Sequence, residues 1–196
     1  LLPEYFKVEG KIIFENRDIL KLPDSEFIKI RGEKISIIFQ DPMASLNPVL
    51  KLGFQVAEML IQHYGISKKE AFERTFEIFK KLKIQNFINS YPHQLSGGMR
   101  QRVMIAMATI CEPELIIADE PTTALDVTVQ EEILDLLYYL IKNKEKSMIL
   151  ITHDINILGE YADRVIVMYA GRIMEMGSVE EIFKNPLHPY TIALLE

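Results

Sequence analysis

Leu115-Ile116-Ile117-Ala118-Asp119-Glu120-Pro121 is a short apolar run that ends in two adjacent carboxylates. Consecutive aliphatic residues with β-branched members read as a strand buried on both faces, the mark of a parallel sheet. Pro121 stops the run, because proline lacks the N–H that a ladder needs. In open α/β sheets, ligands gather at the carboxyl ends of strands. A carboxylate there can hold a hard cation such as Mg²⁺ through oxygen or water. A second can position or deprotonate an attacking water. Taken alone, the run fits a surface turn equally well.

The pattern on either side decides between the two. Strand-length apolar runs occur at Val8 to Glu15, Lys34 to Phe39, Ser147 to Thr152 and Arg164 to Ala170. Gly171 turns the last into a hairpin with Arg172 to Met176. Helical spacing fills the gaps. Pro23 to Ile30 is a short helix with Asp24 or Ser25 as cap. Val56, Met59, Leu60 and Tyr64 share one helix face, as do Phe72, Phe76, Phe79 and Leu82 within Lys68 to Lys83. The second stripe reads as core packing. Further helices run from Ser96 to about Cys111 and over Val127–Lys142, Asp154–Tyr161, Ser178–Lys184 and Tyr190–Leu195. Strands alternating with helices predict an α/β domain with a mostly parallel sheet.

With 196 residues, 48% of them hydrophobic and 26% charged, the chain suits one globular domain with a real core. Its net charge of −6 argues against a general nucleic-acid binder. Cys111 is the only cysteine, so no internal disulfide forms, and no Cys/His cluster has zinc spacing. Following an apolar stretch, Cys111 reads as a small core residue rather than a nucleophile. No apolar run approaches the roughly 18 residues of a membrane span. Work at a membrane would need another chain to do the crossing.

Leu95-Ser96-Gly97-Gly98-Met99-Arg100-Gln101-Arg102 adds an anion site. Ser96 is a natural helix cap. Glycines in the first turn let a backbone approach a ligand closely, where free N–H groups and the helix dipole favour negative charge. Capping explains Ser96 but not the paired glycines, each of which weakens a helix by up to about 1 kcal/mol relative to Ala.

On these residues the chain resembles the ABC ATPases. LSGGMRQR resembles their signature motif and LIIADEP their Walker B strand. Ala124-Leu125-Asp126 looks like the D-loop, His153 like the switch histidine and Gln40 like the Q-loop glutamine. The resemblance implies a P-loop NTPase-like domain over residues 1–184 with a helical subdomain at about 50–105. It implies ATP as substrate and Mg²⁺ as cofactor. Asp119 would coordinate Mg²⁺, and Glu120 would be the general base. His153 would contact the γ-phosphate, and Gln40 would sense it together with Mg²⁺. Ser96, Gly97, Gly98 and Gln101 would act in trans, on ATP held mainly by a second subunit. Asp126 would lie at the dimer interface.

The family's phosphate-binding loop, G-x-x-x-x-G-K-[ST], is absent: Gly10-Lys11 is followed by Ile12 and has no glycine at the required offset. In the family that loop and its helix lie just upstream, so Leu1-Leu2-Pro3 is expected to be the tail of that helix. Without the missing strand and helix the sheet should expose apolar surface, giving poor solubility.

Phe39-Gln40-Asp41-Pro42-Met43-Ala44-Ser45-Leu46-Asn47-Pro48 resembles the Q-loop region of dipeptide and oligopeptide importers. Asn185-Pro186-Leu187-His188-Pro189-Tyr190-Thr191 resembles the start of their C-terminal extension, here residues 185–196. That family implies a second, different ATPase subunit, two transmembrane permease subunits and, indirectly, an external peptide-binding protein. It implies a peripheral position on the cytoplasmic face of the membrane. Leu50, Phe54 and Met59 would line a groove for the permease, or else pack the domain's own core. Nickel, glutathione and oligosaccharide importers share these motifs. Two other readings compete: a soluble ABC ATPase acting on nucleic acid, and a non-hydrolysing partner that only lends its signature.

Overall fold

The computed structural model describes residues 8–142 and 146–196. The expected helix tail at Leu1-Leu2-Pro3 falls outside them.

The chain opens with β1 (Ile13–Phe14) and β2 (Arg17–Asp18), an antiparallel hairpin. The strand expected over Val8 to Glu15 is thus cut short. Glu15 and Asn16 both take positive φ (47° and 61°), the two-residue turn whose twist suits a tight hairpin. A single 3-10 turn, Ile19–Lys21, leads to α1 (Asp24–Ile30). Neither Asp24 nor Ser25 caps it. Pro23 holds the cap position without a side-chain bond, and Asp24 and Glu26 instead place negative charge in the first turn.

After β3 (Ile35–Ile38) and the one-turn α2 (Pro42–Ser45), the chain stays helical through α3 (Leu52–Tyr64), α4 (Lys68–Lys81) and α5 (Gly97–Thr109). Gly65, at φ 64°, ends α3 in the left-handed cap that glycine enters most easily. The aromatic stripe predicted on α4 divides. Phe79 and Leu82 are fully buried, whereas Phe72 and Phe76 are 37% and 44% exposed. The buried line along α4 is Ala71, Thr75 and Phe79, spaced by one helical turn, and the two outer phenylalanines lie beside it.

β4 (Leu115–Asp119), α6 (Val127–Lys142), β5 (Ser147–Ile151), α7 (Ile155–Tyr161), β6 (Arg164–Tyr169), β7 (Arg172–Ser178), α8 (Val179–Lys184) and α9 (Pro189–Leu195) follow. β3, β4 and β5 form a parallel sheet in that order, with Ile38 beside Ala118 and Ala118 beside Leu150. β6 and β7 make a separate antiparallel pair turning at Ala170-Gly171.

Ile38, Ile116 and Ala118 point into the main core, with Val103, Ile105 and Leu137 of the covering helices. The reverse face is thinly covered: Ile149 and Ile151 are 49% and 46% exposed, and Ile37 is exposed as well. β4 is therefore buried on one face and half-buried on the other, where the sequence predicted burial on both. On β6, Ile166 and Met168 are likewise exposed. The C-terminal end is tied down by Glu175 of β7, whose carboxylate accepts the backbone N–H groups of Leu187 (2.7 Å) and His188 (3.1 Å).

Candidate functional site

The three parallel strands end side by side, and their ends deliver four residues of interest. Gln40 follows β3, Asp119 and Glu120 close β4, and His153 follows β5. Backbone geometry brings them together. The N–H of Glu120 donates to the carbonyl of Ile151 (2.9 Å), clamping the end of β4 to that of β5. Glu120 sits at φ 43°, the left-handed region that a non-glycine residue enters only at a cost.

The Glu120 carboxylate is the hub. Its Oε2 accepts from Gln40 Nε2 (2.8 Å) and from Thr123 Oγ1 (2.8 Å). Its Oε1 lies 3.0 Å from His153 Nδ1. An ionised carboxylate only accepts, so Nδ1 must carry the proton, which leaves Nε2 facing away from Glu120. The His153 hydrogen bond foremost, then that from Thr123, holds the Glu120 carboxyl below its ordinary value, against a lesser push upward from partial burial. Glu120 is thus an anion at neutral pH, kept in one orientation.

Asp119 is half-buried and, among the described residues, its carboxylate makes no hydrogen bond or ion pair. Asp119 offers an open carboxylate and Gln40, past the end of the neighbouring strand β3, an amide oxygen; both are oxygen donors of the kind that suits Mg²⁺, which takes one or two protein oxygens and fills its remaining positions with water or phosphate. Among the described residues no group of three or more His, Cys, Asp or Glu gathers into a dedicated metal cage. A cleft of about 180 Å³ opens beside Glu120, lined also by Thr123, Ala124, Gln130, His153 and Asp154 but not by Gln40 or Asp119. A larger cavity, about 620 Å³, lies toward the far ends of α4 and α5, bordered by Tyr64, Arg74 and Cys111. It is lined by none of the strand-end side chains. Burial there pushes the Cys111 thiol up to about 11, which agrees with a core cysteine and not a nucleophile.

The signature-like turn forms a second surface. Ser96 caps α5, its Oγ accepting from Met99 N (3.4 Å). Ser96 and Gly97 are exposed and Gly98 is half-buried. Gln101 was expected beside them, but it is only 2% exposed and its Nε2 has no partner among the described residues. It lies one turn beyond Gly97 on the same face of α5, the face that Leu125 and Val129 meet at the glycines, and deeper along the helix that face is fully covered. Asp126 is exposed and starts α6, its Oδ1 accepting from Val129 N (3.0 Å).

The family model described as "ABC transporter" matches residues 1–123. The chain belongs to the ABC transporter family. It is 50% identical over 199 residues to the oligopeptide transport ATP-binding protein OppD of Haemophilus influenzae, covering 100% of this chain and 62% of that protein. It is 52% identical to OppD of Bacillus subtilis, covering 98% of this chain and 54% of that one. The chain thus spans a little over half the length of the curated relatives it matches. Among solved structures, the ATP-binding cassette MJ0796 in a post-hydrolysis dimer bound to ADP and Pi superposes with a TM-score of 0.78 at 36% identity, over 87% of this chain and 74% of that one. CbiO1 of Clostridium perfringens, part of the transporter complex cbiONQ, gives 0.79 at 32%, over 90% of this chain and 69% of that one.

The ABC fold therefore gathers Gln40, Glu120 and His153 into one hydrogen-bonded cluster, with Asp119 adjoining it. It sets Ser96, Gly97 and Asp126 on an exposed surface of their own. Thr123 was missed by sequence reasoning. A threonine three residues after a carboxylate in a proline-started turn carries a signal, since the turn's own bond (Thr123 N to Glu120 O, 3.2 Å) folds it back onto Glu120.

Proposed function

We propose that this chain carries the catalytic strand ends and signature surface of the ATPase subunit of a peptide importer. The observation that carries this reading is the convergence of Gln40, Thr123 and His153 on Glu120 at the ends of three adjacent parallel strands. Phosphoryl transfer needs positioning and charge stabilisation rather than covalent chemistry by the protein. An ionised carboxylate fixed on both oxygens suits the orientation of a hydrolytic water. His153 keeps Nε2 free, and when that nitrogen carries a proton as well as Nδ1 it would donate to a phosphate oxygen. Asp119 and Gln40 would hold Mg²⁺, which when bound neutralises charge developing on the phosphates. Gln40, bonded to Glu120 and next to the exposed Phe39, would pass the state of the site to a partner at the surface.

The phosphate cradle is proposed to come from residues outside these 196, together with the strand and helix that would cover the exposed isoleucines of β5. The chain alone should then bind ATP more weakly than low-micromolar, and tight binding in a titration would reject this. Ser96, Gly97 and Gly98 would meet the γ-phosphate of ATP held by a second, different subunit. Gln101 is left out of that contact because it is buried.

Peptide as cargo draws support from the relatives, which are named as oligopeptide and dipeptide transport ATP-binding proteins. Two permease subunits and an external binding protein would complete the assembly at the cytoplasmic face of the membrane. Among the described residues no helix is long and apolar enough to cross a membrane. In the predicted permease groove, Met59 packs into a small core cluster with Ala57, Leu60, Ala71 and Cys111. Leu50 and Phe54 are half-buried. The open apolar side chains of this stretch are Phe39, Met43 and Val49, and these are the proposed contacts.

Two measurements on the whole protein, assembled with its partners, test the reading. Glu120→Gln should lower ATP hydrolysis by about 10²–10⁴-fold while leaving the fold intact. Val49→Asp should abolish uptake of a labelled peptide while sparing hydrolysis. Normal hydrolysis by the first, or normal uptake by the second, counts against the corresponding assignment.

A further inference from the structure

The paired glycines of the signature-like turn have a second demand on them, from inside the same chain. A Cβ added at Gly98 would stand 2.5 Å from Val129 Cγ1, closer than real atoms approach. A Cβ at Gly97 would stand 3.3 Å from Leu125 Cδ2. Val129 cannot swing clear easily. It is β-branched and lies in the first turn of α6, where valine holds one strongly preferred rotamer. Its backbone is also held, since its N–H donates to Asp126 Oδ1 (3.0 Å). Both Leu125 and Val129 are half-buried against the main core.

We propose that Val129, assisted by Leu125, keys the first turn of α5 to the first turn of α6, and that Gly98 is glycine because Val129 fills the space a side chain would need. Val129 is a positioning residue. Through it Asp126 and the Ser96–Gly98 turn form one rigid unit, so a contact felt at either is transmitted to the other within the subunit. Glu120 lies on the same connection, six residues before Asp126, so the surface offered to a partner's nucleotide is mechanically joined to the chain's own catalytic strand end. The keying rests on geometry alone; its catalytic consequence rests on the function proposed above.

A double-mutant cycle tests it in the whole protein assembled with its transporter partners, using Gly98→Ala, Val129→Ala and the two combined. With Val129 truncated, the nearest remaining atom to the new methyl is Val129 Cβ at 3.9 Å, an ordinary contact. Overpacking should lower the melting temperature of Gly98→Ala by about 3–10 °C, and the double variant should melt within about 2 °C of Val129→Ala. At saturating ATP, kcat of Gly98→Ala should fall at least about tenfold and return in the double variant to within about threefold of Val129→Ala. A Gly98→Ala protein that melts like wild type overturns the keying, as does a double variant whose loss is the sum of the two singles. Rescue of melting without rescue of kcat overturns the catalytic consequence, because the nucleotide itself then demands the glycine. If the melting cycle holds and kcat is indifferent to all three changes, the keying stands and the proposed nucleotide role of this turn fails.

Discussion

The two faces of the parallel sheet are built from the same strands and meet opposite fates. On one, Ser36, Ile38, Ile116 and Ala118 are buried beneath helices, and Met148 and Leu150 pack against the same core. On the other, Ile37, Ile149 and Ile151 are exposed although they are as apolar as their neighbours. Parallel sheets ordinarily have both faces covered. The difference shows that strand sequence records what a face is made to meet, whereas solvent exposure records what the described residues supply. Asp119 shares the thinly covered face, so the candidate site sits on the less protected side of the sheet.

The comparison can be broken most forcefully from the covered side. Ile116→Ala should destabilise by about 2–5 kcal/mol, because the side chain is almost wholly buried and its loss leaves a void in the core. Chemical denaturation measures this, and a change under about 1 kcal/mol would mean the two faces do not differ as described. Next is the strand end between them. Thr123→Val removes one of the two donors to Glu120 Oε2. It should cost about tenfold in hydrolysis with Thr123→Ser restoring most of it, as expected for a hydrogen bond to a charged group. On the bare face, Ile149→Ser combined with Ile151→Ser should leave the stability of the 196-residue chain within about 0.5 kcal/mol while lowering aggregation and the binding of a hydrophobic dye. Undiminished dye binding would place the exposed apolar patch elsewhere.

The smallest effect concerns pH. The Ser178 backbone N–H foremost, then its hydroxyl, hold the Glu181 carboxyl below its ordinary value. A lowered folded value means the contribution is complete above the ordinary carboxylate range and fades as pH falls through the folded value. Glu181→Gln should therefore lower stability slightly at neutral pH, leave it nearly unchanged in acid, and so flatten the acid limb when denaturation is followed at several pH values.

Much of this was legible in advance because local chemistry and tertiary demand agreed. The strands before Gln40, Asp119 and His153, and the helix over Val127–Lys142, follow from apolar runs and turn residues alone. Legibility failed where neighbours decide. Phe72 and Phe76 have the spacing of a core stripe, yet the line that buries is Ala71–Thr75–Phe79. Gln101 shares a helix face with Gly97, but how deeply that face is covered one turn further on is set by the elements packed against it, which the motif does not record. The left-handed backbone of Glu120 is held by β5, whose Ile151 accepts its N–H and arrives some 30 residues later in the chain.

The clasp between Glu175 and the N–H groups of Leu187 and His188 has a practical use. With the rings of Tyr169 and Tyr190 also in contact, 4.8 Å between centroids, the last helix is pinned to the β6–β7 hairpin at two points. A fluorescent protein fused after Glu196 through a short stiff linker would thus report the tumbling of the hairpin rather than its own. Anisotropy recorded from such a fusion, with Glu175→Gln as the loosened control, would give an optical gauge of how firmly this corner of the molecule is held.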